Sequence, residues 1–424
     1  MVSIPKRPTP DPNAGNRMEI MKDIAAAVGA DLADPYELAQ WLWDYFDGNI
    51  SSTVREIIVS QGSTALLRVE FSKSHRLTAF RIAAALMPRV AEIREAIASD
   101  LLDDASKCVG AEVLFSSFPV DGFFKFDDKL QIRPVPPDAP KAPARHFGEQ
   151  PFLLEYRFSE SRNSLVTSYR KAQATRHLGA LVAVFLEGVI KVQSHVLHGH
   201  WVNVPVNGLD GKPQFQSEFR AGQYICPGLK SCSTDFSPLQ GFRPIAQIPE
   251  QVYYTRWGEI LGRSLEIPDT LDKLLRIFFS LRAEERARFL RAAYWFAQAK
   301  SAYLVSKSYQ YIAIVMAIET LAQQKSASER CQTCKRELEN GPTRNFLQFL
   351  DEYCSGPDDA KALKRELYDL RCELSHGARL FLEDIDNRGL PLTPRMVEED
   401  HKKASLYRLT QIALINWLYK RSAA

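Results

Sequence analysis

Apolar residues recur at three- and four-residue spacing from about Met18 to Phe46, a pattern that predicts a helix. The stretches REIIVSQG and ALLRVEF, short and rich in branched residues, predict strands. A second helical pattern runs roughly from Leu77 to Asp104, and AEVLFSSFPVDGFFKF after it predicts a hairpin. The stretch RPVPPDAPKAPAR holds five prolines. Proline removes backbone donors and favours extended chain, so a linker or exposed loop is expected there. Beyond it FLLEYRF predicts a strand, followed by a helix of about 25 residues ending near Val192. Residues 195–260 carry Gly, Pro and aromatics without sustained periodicity and are expected to form loops with short strands. From Pro268 the pattern is almost purely helical, and neither Gly nor Pro interrupts Arg282 to Asn340.

The expected fold class is therefore α+β and multidomain, with a mixed α/β N-terminal region followed by an all-α helical bundle. The expected divisions are a flexible N-terminus over 1–16, a mixed α/β domain over 17–132 and a Pro-rich linker over 133–146. A middle α+β region over 147–265 and a helical domain over 266–424 complete them. A chain of 424 residues suits two or three cores. With 45% hydrophobic and 25% charged residues, most of it is expected to fold. The net charge of +3 does not announce a nucleic-acid partner, so any basic surface must arise by local clustering. The first residues, MVSIPKRPTPDPNAGNR, lack the apolar core of a signal peptide. The longest apolar run, LGALVAVFLEGVIKV, is cut by Glu187 and Lys191, so no membrane span is expected. Seven cysteines without a secretion signal point to a reducing cytoplasm.

The chemistry concentrates in LYDLRCELSHGARLF, residues 367–381. Pro357 fits the first position of a helix, with Ser355 or Gly356 as its cap and Asp358 and Asp359 complementing the dipole. Gly377 fits the residue just past the end. Leu363, Leu367, Leu370 and Leu374 form the core-facing stripe between them. At about 100° per residue, Arg371 lies about 70° to one side of that stripe and His376 nearly opposite. On a lone monomer His376 is then exposed, and enclosing it takes a second surface such as a helical dimer supplies.

RCELSH is an R-x4-H motif. With the wider YDLRCELSHG and the upstream apolar helix YIAIVMAIETLA, it resembles the signature of HEPN domains, and in particular their Apea-like group associated with phage defence. The resemblance covers about 150 residues, 270–424, and leaves the first 265 unassigned. It implies a homodimer through the C-terminal domain, in which two motifs form one composite, metal-independent ribonuclease site. Arg371 and His376 are the catalytic residues so implied. An imidazole can take the proton of an RNA 2′-hydroxyl as it attacks the neighbouring phosphate. At a helix C-terminus it is also suited to return a proton to the leaving 5′-oxygen. A guanidinium can hold the phosphate and offset charge on the phosphorane. Cys372 stands where many active members carry Asn, Asp or His, and a thiol is a weaker donor. Ser375 and Glu373 are candidates to compensate. Glu319 falls on or beside the apolar face of its helix, where a carboxylate is costly unless paired. It is either an edge residue reaching water or the partner that holds Arg371, which the resemblance supports.

Other candidates carry less. Cys331 and Cys334 in CQTC supply two of the four ligands a structural zinc wants. Cys226, Cys232 or Cys354, or the same loop of a second subunit, would complete the set. Two reduced thiols on a loop is the simpler reading, and no cofactor is expected. His195, His198 and His200 crowd into SHVLHGHW without a matching Cys or carboxylate set and read as turn residues beside Trp201. Basic residues alternate with aromatics in LRAEERARFLRAAYWFAQAK and HKKASLYRLTQIALINWLYKR, as solvated faces of amphipathic helices or as an RNA-binding surface. No Gly-rich phosphate loop, GxSxG elbow or HExxH motif occurs. The expected function is a cytoplasmic endoribonuclease acting on RNA, such as tRNA or phage RNA, as a defence or toxin-like effector. Its N-terminal region would answer a trigger or regulatory partner. The alternatives are a non-catalytic HEPN module for dimerisation or RNA binding, and a structural component of a larger complex.

Overall fold

The structure is a computed structural model. It describes residues 18–20, 35–53, 55–73, 77–102, 107–141, 150–188, 191–192, 198–207, 213–222, 224–230, 232–256, 263–322, 329–330, 337–338, 341–354, 359–385 and 393–422. The chain is mixed α/β, with a β-rich N-terminal region and C-terminal helices. It divides into two compact units. The first comprises residues 1–110, 157–174 and 232–235, and the second residues 111–156, 175–231 and 236–424.

In the first unit strands β1 (Met18–Ile20), β2 (Ile50–Ser52), β3 (Glu56–Gln61), β4 (Thr64–Phe71) and β5 (Leu77–Ala83) form an antiparallel sheet in the order β1-β5-β4-β3-β2. Alternation makes one face apolar: Ile57, Val59, Leu67, Val69, Phe80 and Ile82 are buried. They pack with Trp41 and Leu42 of helix α1 (Pro35–Tyr45) and with Ile93 and Ile97 of α2 (Val90–Ile97). The helix expected over Leu77–Asp104 is divided. Residues 77–83 are β5, pairing Leu67 with Ile82 and Val69 with Phe80, and a 3-10 turn containing Pro88 separates them from α2. A neighbouring strand decides this, because LTAFRIA offers apolar side chains to either geometry. Met18–Ile20 likewise extends the sheet on β5 instead of opening the helix expected there.

The second unit holds most of a further sheet. The strands of this sheet are β6 (Lys107–Ser116), β7 (Gly122–Phe126), β8 (Leu130–Pro134), β9 (Gln150–Ser159), β10 (Lys191–Val192) and, further along, Cys232–Ser233, which pairs with β6, and Arg243–Pro244. The hairpin expected from β6 and β7 does not form: β9 and β8 lie between them, and β7 pairs with β8. Nor does the proline stretch separate domains. Pro134 pairs with Phe152 inside the sheet, and Val135 and Ala139 are buried, so 133–146 connects two adjacent strands. Residues expected to form only short strands include the hairpin β11 (His198–Asn207) and β12 (Pro213–Gly222), ten residues in each arm.

Helix α3 (Ser164–Phe185) is followed by α4 (Glu250–Thr255), α5 (Leu271–Ser280), α6 (Ala283–Ser301), α7 (Lys307–Ala322), α8 (Pro342–Tyr353), α9 (Asp359–Ser375), α10 (Leu382–Ile385) and α11 (Pro394–Ser422). Their core includes Phe289, Phe296, Tyr311, Ile314, Phe346, Leu367, Leu414 and Trp417. The second unit spans both sides of position 265. The end of α3 is one reason: Val184, Phe185 and Leu186 offer carbonyls that helix geometry leaves unpaired. Gln411, Tyr254 and Lys300 donate to them at 2.8, 3.0 and 2.5 Å respectively.

Asp384 closes the other kind of helix end. Its carboxylate accepts from the backbone N–H groups of Lys307 and Ser308 at 2.8 and 2.7 Å and from the Ser306 hydroxyl at 3.0 Å. Burial opposes its charge, but the Ser308, Lys307 and Ser306 donors outweigh it and hold the carboxyl below its ordinary range. Asp384→Ala is expected to cost about 1–2 kcal/mol in urea denaturation. Because the folded pKa is depressed, this stability is complete above the ordinary aspartate value near 3.9 and is lost as pH falls through the lower, folded value. The gap between parent and variant is therefore expected to close only in that acidic range.

Candidate active site

Helix α9 ends as its sequence requires. Gly377 adopts φ 72°, Ala378 N–H donates to the Glu373 carbonyl at 3.0 Å, and Gly377 N–H donates to Leu374 at 3.3 Å. This pair of bonds is a Schellman motif with His376 as the C-cap. Leu367, Leu370 and Leu374 are buried, Leu363 is half-buried and His376 is exposed. Ser375 and Glu373 are also exposed, and Cys372 is half-buried with a free thiol. The expected N-terminal residues Ser355, Gly356, Pro357 and Asp358 lie outside the described residues.

Glu319, on α7, meets Arg371 on α9. Both carboxylate oxygens lie 3.2 Å from Arg371 Nη2, with the two side chains 13% and 22% exposed. Burial works against the charge on Arg371, but Glu319, Tyr368 and Cys372 together outweigh it and raise its pKa above the ordinary value. Tyr368, three residues before Arg371 and so on the same side of the helix, completes the arrangement. Its ring centroid is 5.6 Å from the guanidinium carbon, and its hydroxyl reaches Glu319 Oε1 at 3.5 Å. The ring is buried against Phe346, centroids 5.0 Å apart, and the hydroxyl also engages Thr343. Tyr368 carries no signal in the sequence beyond its three-residue spacing from Arg371.

The arrangement can hold one guanidinium in a fixed place, with an exposed imidazole five residues further along the chain. Glu319→Ala leaves a half-buried guanidinium unpaired and is expected to cost about 1–3 kcal/mol, reduced from the fully buried case by its remaining exposure. Glu319→Gln keeps the shape and an acceptor and is expected to cost less than half of that. Chemical denaturation of both variants checks this, and parent-like curves for both would remove Glu319 as the anchor.

Cys331, Cys334 and His195 lie outside the described residues, as do the side chains of His198 and His200. Cys226 is buried beside Val113 and Leu153, whereas Cys354 lies 3.1 Å from the Leu409 carbonyl. Cys232 interacts with Cys108, whose thiol is pushed up to about 12, first by burial and then by Cys232. Among the described residues no helix is long and apolar enough to cross a membrane.

The interleaved basic residues include buried ones with structural partners. Arg288 donates to the Thr320 and Leu321 carbonyls at the end of α7; Lys364, outside those stretches, donates to the Leu350 and Cys354 carbonyls at the end of α8 and to the Asp351 carboxylate at 2.7 Å. With Lys300 these are three basic side chains at helix C-termini, each donating to carbonyls that the helix leaves unpaired. Comparison of the chain with protein-family models, with curated proteins and with solved structures found no match.

Proposed function

We propose that the protein is a metal-independent endoribonuclease of HEPN type, working in the cytoplasm as a defence or toxin-like effector. The observation that supports this most is the Arg371 guanidinium, held by Glu319 and Tyr368 on the helix that ends at exposed His376. In this reading two chains meet about a twofold axis and bring both motifs to one cleft. One His376 takes the proton of the 2′-hydroxyl as its oxygen attacks phosphorus. The P–O5′ bond breaks, and the other His376 gives a proton to the departing oxygen. Both Arg371 side chains offset charge on the phosphorane. The products are a 2′,3′-cyclic phosphate and a 5′-hydroxyl.

Incubation with total RNA in EDTA tests this: discrete cleavage with cyclic-phosphate ends is expected. Sedimentation is expected to show a dimer, and dimers mixing parent with His376→Ala chains are expected to cleave at well under half the parent rate. A stable, fully active monomer would overturn the composite site. One observation favours a second reading, a non-catalytic dimerisation or RNA-binding module. Glu319 already occupies Arg371 Nη2 with both oxygens, and the adjoining side chain is the weakly donating Cys372. RNA binding without cleavage, at parental affinity in the His376→Ala chain, would select it.

A further inference from the structure

A cavity of about 210 Å³ in the second unit is lined by Asp121, Gly122, Arg243, Arg263, Ser264 and Glu266, among others. Its walls are backbone sewn together from three distant segments. Arg243 and Pro244 pair in parallel with Gly122 and Phe123, and Ile245 N–H donates to Phe123 at 2.8 Å. Leu265 N–H donates to Pro119 at 2.7 Å and Ile267 N–H to Ala246 at 3.0 Å. Gly122 permits the closest approach, since a Cβ there would stand 2.8 Å from the Arg243 carbonyl oxygen and 2.9 Å from the Ile245 nitrogen.

The charges on this wall are incompletely matched. Glu266 is occupied by Arg256 at 2.6 Å, and Arg263 by Glu187 at 2.8 Å and by the face of Phe118. The Nε of Arg263 is nevertheless buried without a partner among the described residues. Arg243 and Asp121 are both exposed, and Arg243 forms no ion pair with a described residue. Asp121 accepts only from the Ser264 hydroxyl among the described residues. A cation and a carboxylate thus line one small cavity without neutralising each other.

We propose that this cavity binds a free α-amino acid. A ligand for it must present an anionic group to Arg243 and a hydrogen-bond donor to Asp121, within a cavity smaller than the roughly 300–1,000 Å³ usual for drug-sized ligands. The zwitterion of an α-amino acid carries a carboxylate and an ammonium on one carbon, and charge-assisted hydrogen bonds to both would hold it. Ser264 adds a hydroxyl beside Asp121. The site is independent of Arg371 and His376, so it stands whether or not the chain cleaves RNA.

Thermal-shift and calorimetric titration of the full chain with the standard α-amino acids, one at a time at millimolar concentration, tests this. At least one is expected to bind and raise the melting temperature. Arg243→Gln and Asp121→Asn are each expected to weaken that binding about tenfold or more, the scale of one lost charge-assisted bond, while the unliganded melting temperature stays near the parent's. The amide of the bound amino acid, which lacks the carboxylate, is expected to fail on the parent. Three outcomes overturn the proposal: no amino acid binds, binding survives both substitutions, or inorganic phosphate alone binds and is indifferent to Asp121→Asn.

Discussion

His376→Ala is expected to abolish RNA cleavage while leaving the fold and its stability nearly unchanged. The expected loss is about 10²–10⁴-fold, the usual contribution of one general acid–base group. The structural cost is small because His376 is exposed and the helix end is closed by Gly377 and backbone bonds. Surface substitutions of this kind stay within about 0.5 kcal/mol. Arg371→Ala is expected to abolish cleavage too, but it strands half-buried Glu319 and lowers stability, so the two effects mix. The histidine is the cleaner probe for that reason. Rate measurements on total RNA, beside melting curves of the same samples, separate chemistry from folding. Full activity in the His376→Ala chain would end the catalytic reading of the motif.

Raising the pH from about 7 to about 9 is expected to stabilise the parent relative to Lys300→Met by roughly 2–3 kcal/mol, at ~1.4 kcal/mol per pH unit for one proton. Lys300 is wholly buried, and desolvation lowers its pKa from 10.5 to about 7, with Glu187 offering only partial compensation. In the unfolded chain the amine keeps its proton up to its ordinary value. Between the two values the unfolded state therefore binds one proton more than the folded state, and stability rises with pH. Other buried groups pull the opposite way. The Cys108 and Cys354 thiols are pushed up to about 12, first by burial, and stabilise less as unfolded thiols ionise above about 8.5. They are common to both chains, so the difference between parent and variant isolates Lys300. Urea denaturation at three pH values is sufficient. Parallel stability profiles for the two chains would show that Lys300 does not titrate in this window.

What the sequence determined by itself lies close together along the chain. The stripe of α9, its glycine ending and the exposure of His376 depend on residues within one helix. So do β3 and β4, whose alternation matches the pleat and whose pairing spans a tight turn. Arg371 and Glu319 were legible as candidates because a carboxylate beside an apolar face needs a partner, but only packing of α7 on α9 brought them to 3.2 Å. Tertiary structure alone decided the rest. Leu77–Ala83 became a strand because β4 offered it a partner, and β6 and β7 were parted by β8 and β9. Lys300 read as part of a solvated or RNA-binding face, and no pattern marked Lys364. They are buried because unpaired carbonyls at helix ends, 114 residues away for Lys300, need donors where water does not reach. Side-chain pattern encodes which face is apolar. It does not encode which distant backbone groups will be left wanting a partner, and that demand placed these two lysines in the core.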